Sequence, residues 1–350
     1  MNKRRKFLFS VFNISGYMIA ELEALSKFAD ISVIETPCRI PKGQLESSAN
    51  WLDRRKLESV EDIDAALGGS VPDVFFCGGW MDRLLISYAK HIHGIGRKTV
   101  LLIDTPWKCT FRQIVHCILS RFTLIPVFDY AWGVGDPQVK YLRRLGFSFQ
   151  RIKRGYYCAD TAKFAPIGNE RIAKFDTGIN WPHVFLYIGR YVSVKNMRRM
   201  EQAFIQASEG TDWKLRCIGG GELWNERTIH PRIEHLGYKS PLEIQEYVKG
   251  AGGFVLPSVY EPWGVVVHEA ALMGLPLLCS NQIQAATAYL EDGKNGFTFN
   301  PQNEESIADA FCKIMRLPES RIAEMARRSY ELGMSYTIND WVNRALDFAK

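Results

Sequence analysis

The chain has 350 residues, 47% hydrophobic and 23% charged, with a formal net charge of +6. That length suits two domains of ordinary size, and that balance is expected of a globular chain rather than a disordered or membrane-spanning one. No stretch reaches the roughly 20 apolar residues of a spanning helix. The eight cysteines (Cys38, Cys77, Cys109, Cys117, Cys158, Cys217, Cys279, Cys312) form no C-x-x-C pair, so they are expected as reduced thiols in a cytoplasmic protein.

The chain opens with a basic run and then "KFLFSVF". Asn13 and Ser15 interrupt the apolar run early, so a buried first strand is expected rather than a cleaved leader. A helix pattern over "YMIAELEALSKFA" and a strand "ISVIET" follow. Next come the strand "PDVFFCG", a helix near 82–94 and the strand "KTVLLID". In 109–128, Phe111, Ile114, Val115, Ile118, Leu119 and Phe122 recur at helical spacing, which predicts a helix packed on the core by that face; a membrane-contact helix is the alternative. "YAWGVG", "PQVKYLRRLG" and "FQRIKRGYY" close the first half. Short, nearly continuous apolar runs alternating with helices predict parallel strands buried on both faces.

Residues 160–182 read as a connection, after which the alternation resumes. "HVFLYIGR", "WKLRCIGGG", "GFVLPS" and "PLLCS" are predicted strands; "MRRMEQAFIQAS", "PLEIQEYVKGA" and "VVVHEAALMG" are predicted helices. The fold class expected is α/β, with two doubly wound Rossmann-like domains over 1–160 and 161–335 that face a cleft. Ligands in such sheets sit beyond the carboxyl ends of the strands. Charge is uneven: residues 1–154 hold 23 Lys and Arg against 15 Asp and Glu, and the remainder 21 against 23. A basic half suits an anionic partner (lipid head groups, a phosphorylated acceptor or nucleic acid) and equally a solvated face.

The most informative stretch is "VYEPWGVVVHEAALMGLP", residues 259–276. Glu261 lies in the loop after a predicted strand, and Gly264 lies where a helix begins. Helix-start amides lack intrahelical partners and sit at the positive end of the dipole, which suits a phosphate. Glu269 follows in the second turn. Two carboxylate acceptors beside an anion site suit a molecule bearing both hydroxyls and phosphates, a nucleotide sugar. Arg190 just past a strand end and Lys195 five residues on are natural pyrophosphate ligands. His268 points away from the face of Glu269 and is expected to pack the helix. "IGGGEL" lacks the G-x-G-x-x-G spacing of a dinucleotide site.

"YEPWGVVVHEAALMGLPLLCS" resembles the Glu, seven residues, Glu pattern of the retaining glycosyltransferases of family 4, which have the GT-B fold. "YIGRYVSVKNMRRMEQAF", "LRCIGGGEL" and "IEHLGYKSPLEIQEYVKGAGGFVLPS" are similar to that family's preceding segments, so the likeness runs in order over about 184–300. The N-terminal half is similar more loosely. Its glycine pair is reduced to Ser15-Gly16, Arg154 stands where asparagine is usual, and Ile103-Asp104 stands where a histidine is frequent. The closing segment, 336–350, resembles the last GT-B helix, which returns to the first domain.

The resemblance implies catalytic roles for Glu261, Arg190 and Lys195, with Glu261 on the donor sugar's hydroxyls and the two cations on the diphosphate. It implies donor binding by Gly16, Gly189, Gly237, Tyr238, Lys239, Trp263, Gly264, Val265 and Glu269, the last on the ribose hydroxyls. No metal and no cofactor beyond the nucleoside diphosphate sugar substrate are expected. The implied function is retaining, hexosyltransferase-type transfer to a glycan or lipid-linked acceptor, as in assembly of bacterial surface polysaccharides such as lipopolysaccharide. An anionic membrane surface is a further expected partner, with peripheral attachment at its inner face; nucleic acid is not expected. A GT-B sugar-nucleotide epimerase and a catalytically silent glycan- or partner-binding homologue are the rival readings.

Overall fold

The apolar runs of the N-terminal half become the strands of one parallel sheet in the computed structural model, which describes residues 4–36, 49–176 and 180–350. The chain divides into two units, residues 1–158 with 338–350, and residues 159–337. The first unit begins with β1 (Arg5–Phe12), α1 (Gly16–Ser26), β2 (Ala29–Thr36), β3 (Asn50–Asp53), α2 (Val60–Ala66) and β4 (Val74–Gly78). It continues with α3 (Arg83–Gly94), β5 (Lys98–Ile103), α4 (Phe111–Thr123), β6 (Tyr130–Gly133), α5 (Asp136–Leu145) and β7 (Ile152–Arg154).

Strand order is β3-β2-β1-β4-β5-β6-β7. Phe7 on β1 pairs in parallel with Ile31 on one side and Val74 on the other. Winding therefore reverses beside β1, and this leaves a crevice at the carboxyl ends of β1 and β4. Leu8, Phe75 and Leu101 of the sheet pack with Tyr88 and Ile92 of α3 and with Leu142 of α5.

Helix α4 departs from expectation. Its periodic apolar residues face solvent, with Phe111 82%, Ile118 63% and Phe122 80% exposed. The polar residues Gln113 and Ser120 are the buried ones. Ser120 Oγ donates to the Leu145 carbonyl (2.6 Å), and Gln113 Nε2 donates to that of Pro106 (2.9 Å) while its Oε1 accepts from the Lys108 amide (2.7 Å). Hydrogen bonds to these carbonyls hold this polar face against the protein, and the core-packing reading of 109–128 is corrected accordingly.

The second unit holds α6 (Thr161–Asp176), β8 (Val184–Ile188), α7 (Met197–Ala207), β9 (Lys214–Ile218), β10 (Ile233–His235), α8 (Pro241–Lys249) and β11 (Gly253–Leu256). It continues with α9 (Val265–Leu272), β12 (Leu277–Ser280), α10 (Ala286–Tyr289), β13 (Gly296–Phe299), α11 (Glu304–Met315) and α12 (Glu319–Met334). Its sheet is also parallel, in the order β10-β9-β8-β11-β12-β13, with reversal between β8 and β11.

The stretch read as a connection is largely α6; residues 177–179 lie outside the described residues. Pro166 and Gly168, both poor helix formers, masked it. Gly168 is required by close packing, because a Cβ there would lie 2.1 Å from the Leu272 carbonyl oxygen. Arg171 is buried, and its guanidinium donates to the carbonyls of Met273 (2.9 Å), Val248 (2.6 Å) and Ala251. It thereby satisfies the carbonyl ends of α8 and α9.

After α12 the chain rejoins the first unit as α13 (Ile338–Asp347), which packs on α1. Trp341 Nε1 donates to the Tyr156 carbonyl (2.7 Å), and its ring lies 5.2 Å from that of Trp132. Phe348 closes the cluster against Phe76 at 5.6 Å.

Candidate functional site

Two loops leave the second sheet at its switch point, after β8 and after β11. The first carries Gly189, whose amide donates to the Ile218 carbonyl (3.0 Å), and Arg190, which is exposed. Among the described residues the Arg190 guanidinium has no side-chain partner, so its charge stays available. The same loop then makes a short 3-10 turn over Ser193–Lys195 and ends at Asn196, in the left-handed region at φ 57. Asn196 Nδ2 donates to the Pro301 carbonyl (2.7 Å), which anchors this loop.

The Val259 amide donates to the Val194 carbonyl (2.9 Å), and this bond joins the two loops. It sets Lys195 beside Glu261: Lys195 Nζ donates to Glu261 Oε2, with side chains only 14% and 18% exposed. Ser258 Oγ donates to the same oxygen (3.3 Å). The two residues assigned separately to diphosphate and sugar therefore form an ion pair, and a ligand reaching either must share or displace the other.

Gly264 caps α9 at φ 95, where L side chains are strained, and a Cβ there would lie 2.9 Å from Glu261 Cγ. Glycine at this junction thus serves both the helix start and the placement of the carboxylate. Val265 opens the helix; the Val267 amide turns back to the Gly264 carbonyl (3.0 Å), and the amides of Gly264 and Val265 lie at the positive end of the helix dipole. The Trp263 ring is buried, and its carbonyl accepts from the Ala285 amide (2.9 Å). His268 is buried as well. Its Nδ1 accepts from the Ala159 amide (3.1 Å), its Nε2 donates to the Gly333 carbonyl (2.8 Å), and its ring stacks on Tyr289 at 4.1 Å. Burial pushes its pKa down to about 4, so it is a neutral packing residue.

Glu269 has different neighbours from Glu261. Burial pushes its carboxyl up to about 7, moderated by the nearby Lys163 ammonium and reinforced by Asp160. Lys163 and Asp160 were not singled out from the sequence, because α6 itself was not expected.

Beyond β10, the Gly237 carbonyl accepts from the Gly219 amide (2.8 Å). Tyr238 beside it is 83% exposed, and Lys239 is paired with Glu243 (3.3 Å). These three residues follow β10, and β9 and β8 lie between that strand and β11, which leads to Glu261. Gly16, on the first unit, opens α1; a Cβ there would meet nothing within 4 Å, so the fold alone does not demand glycine.

The first unit has its own cavity, of about 310 Å³, at the carboxyl ends of β1, β4 and β5. Trp80, Asp104, Thr105 and Tyr157 supply its polar and aromatic wall, with Tyr157 Oη 3.3 Å from Asp104 Oδ2. Trp80 was legible only as the residue after a glycine pair that ends a strand.

Residues 170–331 match the family model described as glycosyl transferases group 1. Over 258 residues, 71% of this chain and 67% of the other, the chain is 27% identical to the lipopolysaccharide 1,6-galactosyltransferase of Salmonella typhimurium. The chain spans about a third to two thirds of the length of the first curated relatives it matches. Among solved structures, a glycosyltransferase from Rickettsia africae superposes with a TM-score of 0.76 at 13% identity, over 99% of this chain and 98% of that one. Anabaena HepE in complex with UDP and glucose superposes at 0.70 and 14% identity, over 98% of each chain. The chain thus shares the fold of two parallel Rossmann-like sheets with solved glycosyltransferases, and its residues 170–331 are similar to glycosyl transferases group 1, which supports a glycosyltransferase.

Proposed function

We propose that this chain is a retaining, hexosyltransferase-type glycosyltransferase of family 4. It moves a sugar from a nucleoside diphosphate donor to a glycan or lipid-linked acceptor in the cytoplasm, as in assembly of bacterial surface polysaccharide. The observation that carries this reading is the grouping at the β8/β11 switch point: free Arg190, the Lys195–Glu261 pair, and helix α9 opened by Gly264. Relatives named for transfer in lipopolysaccharide and O-antigen synthesis, and a neighbour solved with UDP and glucose, support it.

In this reading the bond between the anomeric carbon and the β-phosphate oxygen breaks, and the acceptor oxygen bonds to that carbon on the same face. The acceptor's proton leaves with the diphosphate. Arg190, Lys195 and the α9 amides of Gly264 and Val265 hold the charge that grows on the leaving group, which fixed donors do without reorganising. Glu261 accepts from hydroxyls of the sugar while holding Lys195 in place. Glu269 accepts from the ribose; Gly237, Tyr238 and Lys239 border the base; Gly189, Trp263 and Gly16 let the donor approach backbone. The Trp80 cavity takes the acceptor, since an aromatic face beside a carboxylate suits a sugar's apolar ring face and its hydroxyls.

Thermal unfolding with a panel of UDP-, GDP- and ADP-sugars identifies the donor, because a ligand bound only to the native state raises Tm. NMR of the product linkage then reads the configuration. Stabilisation by no nucleotide sugar, or an inverted linkage, would refute the proposal.

A further inference from the structure

Helix α4 turns its apolar side outward, with Phe111, Ile118 and Phe122 mostly exposed and Ile114 and Leu119 about half exposed. A contiguous exposed apolar face on a folded protein marks an interaction surface. The charge along the helix itself has one sign. Residues 105–128 contain Lys108, Arg112 and Arg121 and no Asp or Glu. Helix α5, packed beside α4, adds Lys140, Arg143 and Arg144, while its one acid, Asp136, is paired with Arg154 (3.2 Å).

An apolar ridge set among cations complements an anionic lipid surface, where the ridge enters the acyl boundary and the cations meet phosphates. A second copy of this chain complements it poorly, because like faces would oppose Arg112 and Arg121 to each other. We propose that α4 docks this protein on an anionic bilayer, with Phe111, Ile118 and Phe122 below the head groups and Arg112 and Arg121 at phosphate level. Arg112 also contacts Met81 Sδ (3.3 Å), and Met81 and Trp80 line the first unit's cavity. A lipid-linked acceptor in that bilayer would be presented beside the cavity; this clause rests on the proposed transfer, whereas the docking does not.

Co-sedimentation of the full chain with phosphatidylcholine vesicles, with and without phosphatidylglycerol, tests the docking. Binding is expected only to the anionic vesicles, weakening as salt is raised. Replacing Phe111, Ile118 and Phe122 together by Ser should weaken it more than about 10-fold. Arg112→Gln with Arg121→Gln should weaken it by about 5-fold per arginine, from about 1 kcal/mol each. All these side chains are exposed, so both variants should keep the wild-type Tm. Docking is overturned if the wild type ignores anionic vesicles, if either variant binds unchanged, or if the α4 face instead dimerises the chain without binding vesicles. Donor-induced stabilisation, measured in parallel, fails only if the transfer reading fails.

Discussion

Lys195 donates to Glu261 across the two loops that leave β8 and β11, with both side chains largely buried. Removing one partner of such a pair leaves the other uncompensated, while removing both does not. Lys195→Met and Glu261→Gln should each lower stability by about 1–2 kcal/mol, and the double variant by less than their sum. A denaturant-melt double-mutant cycle measures this. Additive losses would show that the pair carries no coupling.

The cations should matter more to turnover than to folding. Lys195→Ala and Arg190→Ala are each expected to lower kcat about 100-fold, the typical effect of losing a preorganised charge stabiliser. Glu261→Ala should lower activity and, because Lys195 loses only the carboxylate that holds it, change free nucleoside diphosphate affinity by less than Glu269→Ala does. Glu269→Ala should weaken donor and diphosphate alike by about 1.5–3 kcal/mol. Calorimetric titration separates the two carboxylates, and equal loss of diphosphate affinity in both would contradict their division.

The raised pKa of Glu269, about 7, gives a pH test. The ionised carboxylate accepts from the ribose hydroxyls with both oxygens, whereas protonation turns one of them into a donor, so affinity for the intact nucleotide sugar should rise between pH 6 and 8. The same shift works against the fold: its stabilising contribution is complete below the unfolded pKa and is lost as pH rises through about 7. Glu269→Gln should flatten both profiles.

His268 shifts the other way, with a folded pKa of about 4. Its contribution is complete above the unfolded pKa of about 6.5 and is lost as pH falls toward 4. Wild-type stability should drop by about 2–3 kcal/mol over that window relative to His268→Gln. At pH 7.5, His268→Leu should cost about 2–4 kcal/mol from the orphaned Ala159 amide and Gly333 carbonyl. Its kcat should change little, as read at a temperature where the variant is folded.

Gly264→Ala combines backbone strain with displacement of Glu261. It should destabilise by about 1–3 kcal/mol and lower kcat at least 10-fold. Trp80→Ala, in the first unit, should instead raise the acceptor KM and leave donor-induced stabilisation unchanged. Loss of donor binding in that variant would remove the cavity from the acceptor role.

Apolar runs with short spacings were enough to read two parallel α/β sheets, because strands buried on both faces need continuous apolar side chains. The loop carboxylate, the helix-start glycine and the second-turn glutamate of 259–276 were legible for a similar reason, since local backbone geometry dictates them. What joins distant segments was not legible. The Lys195–Glu261 pair depends on a bond from Val259 to Val194, and the environment of Glu269 depends on α6, which Pro166 and Gly168 disguised. Period alone places the apolar residues of α4 on one side; it cannot say which side the protein covers. Tertiary structure decided that, because the carbonyls of Leu145 and Pro106 needed donors and Ser120 and Gln113 supplied them, leaving Phe111, Ile118 and Phe122 facing out.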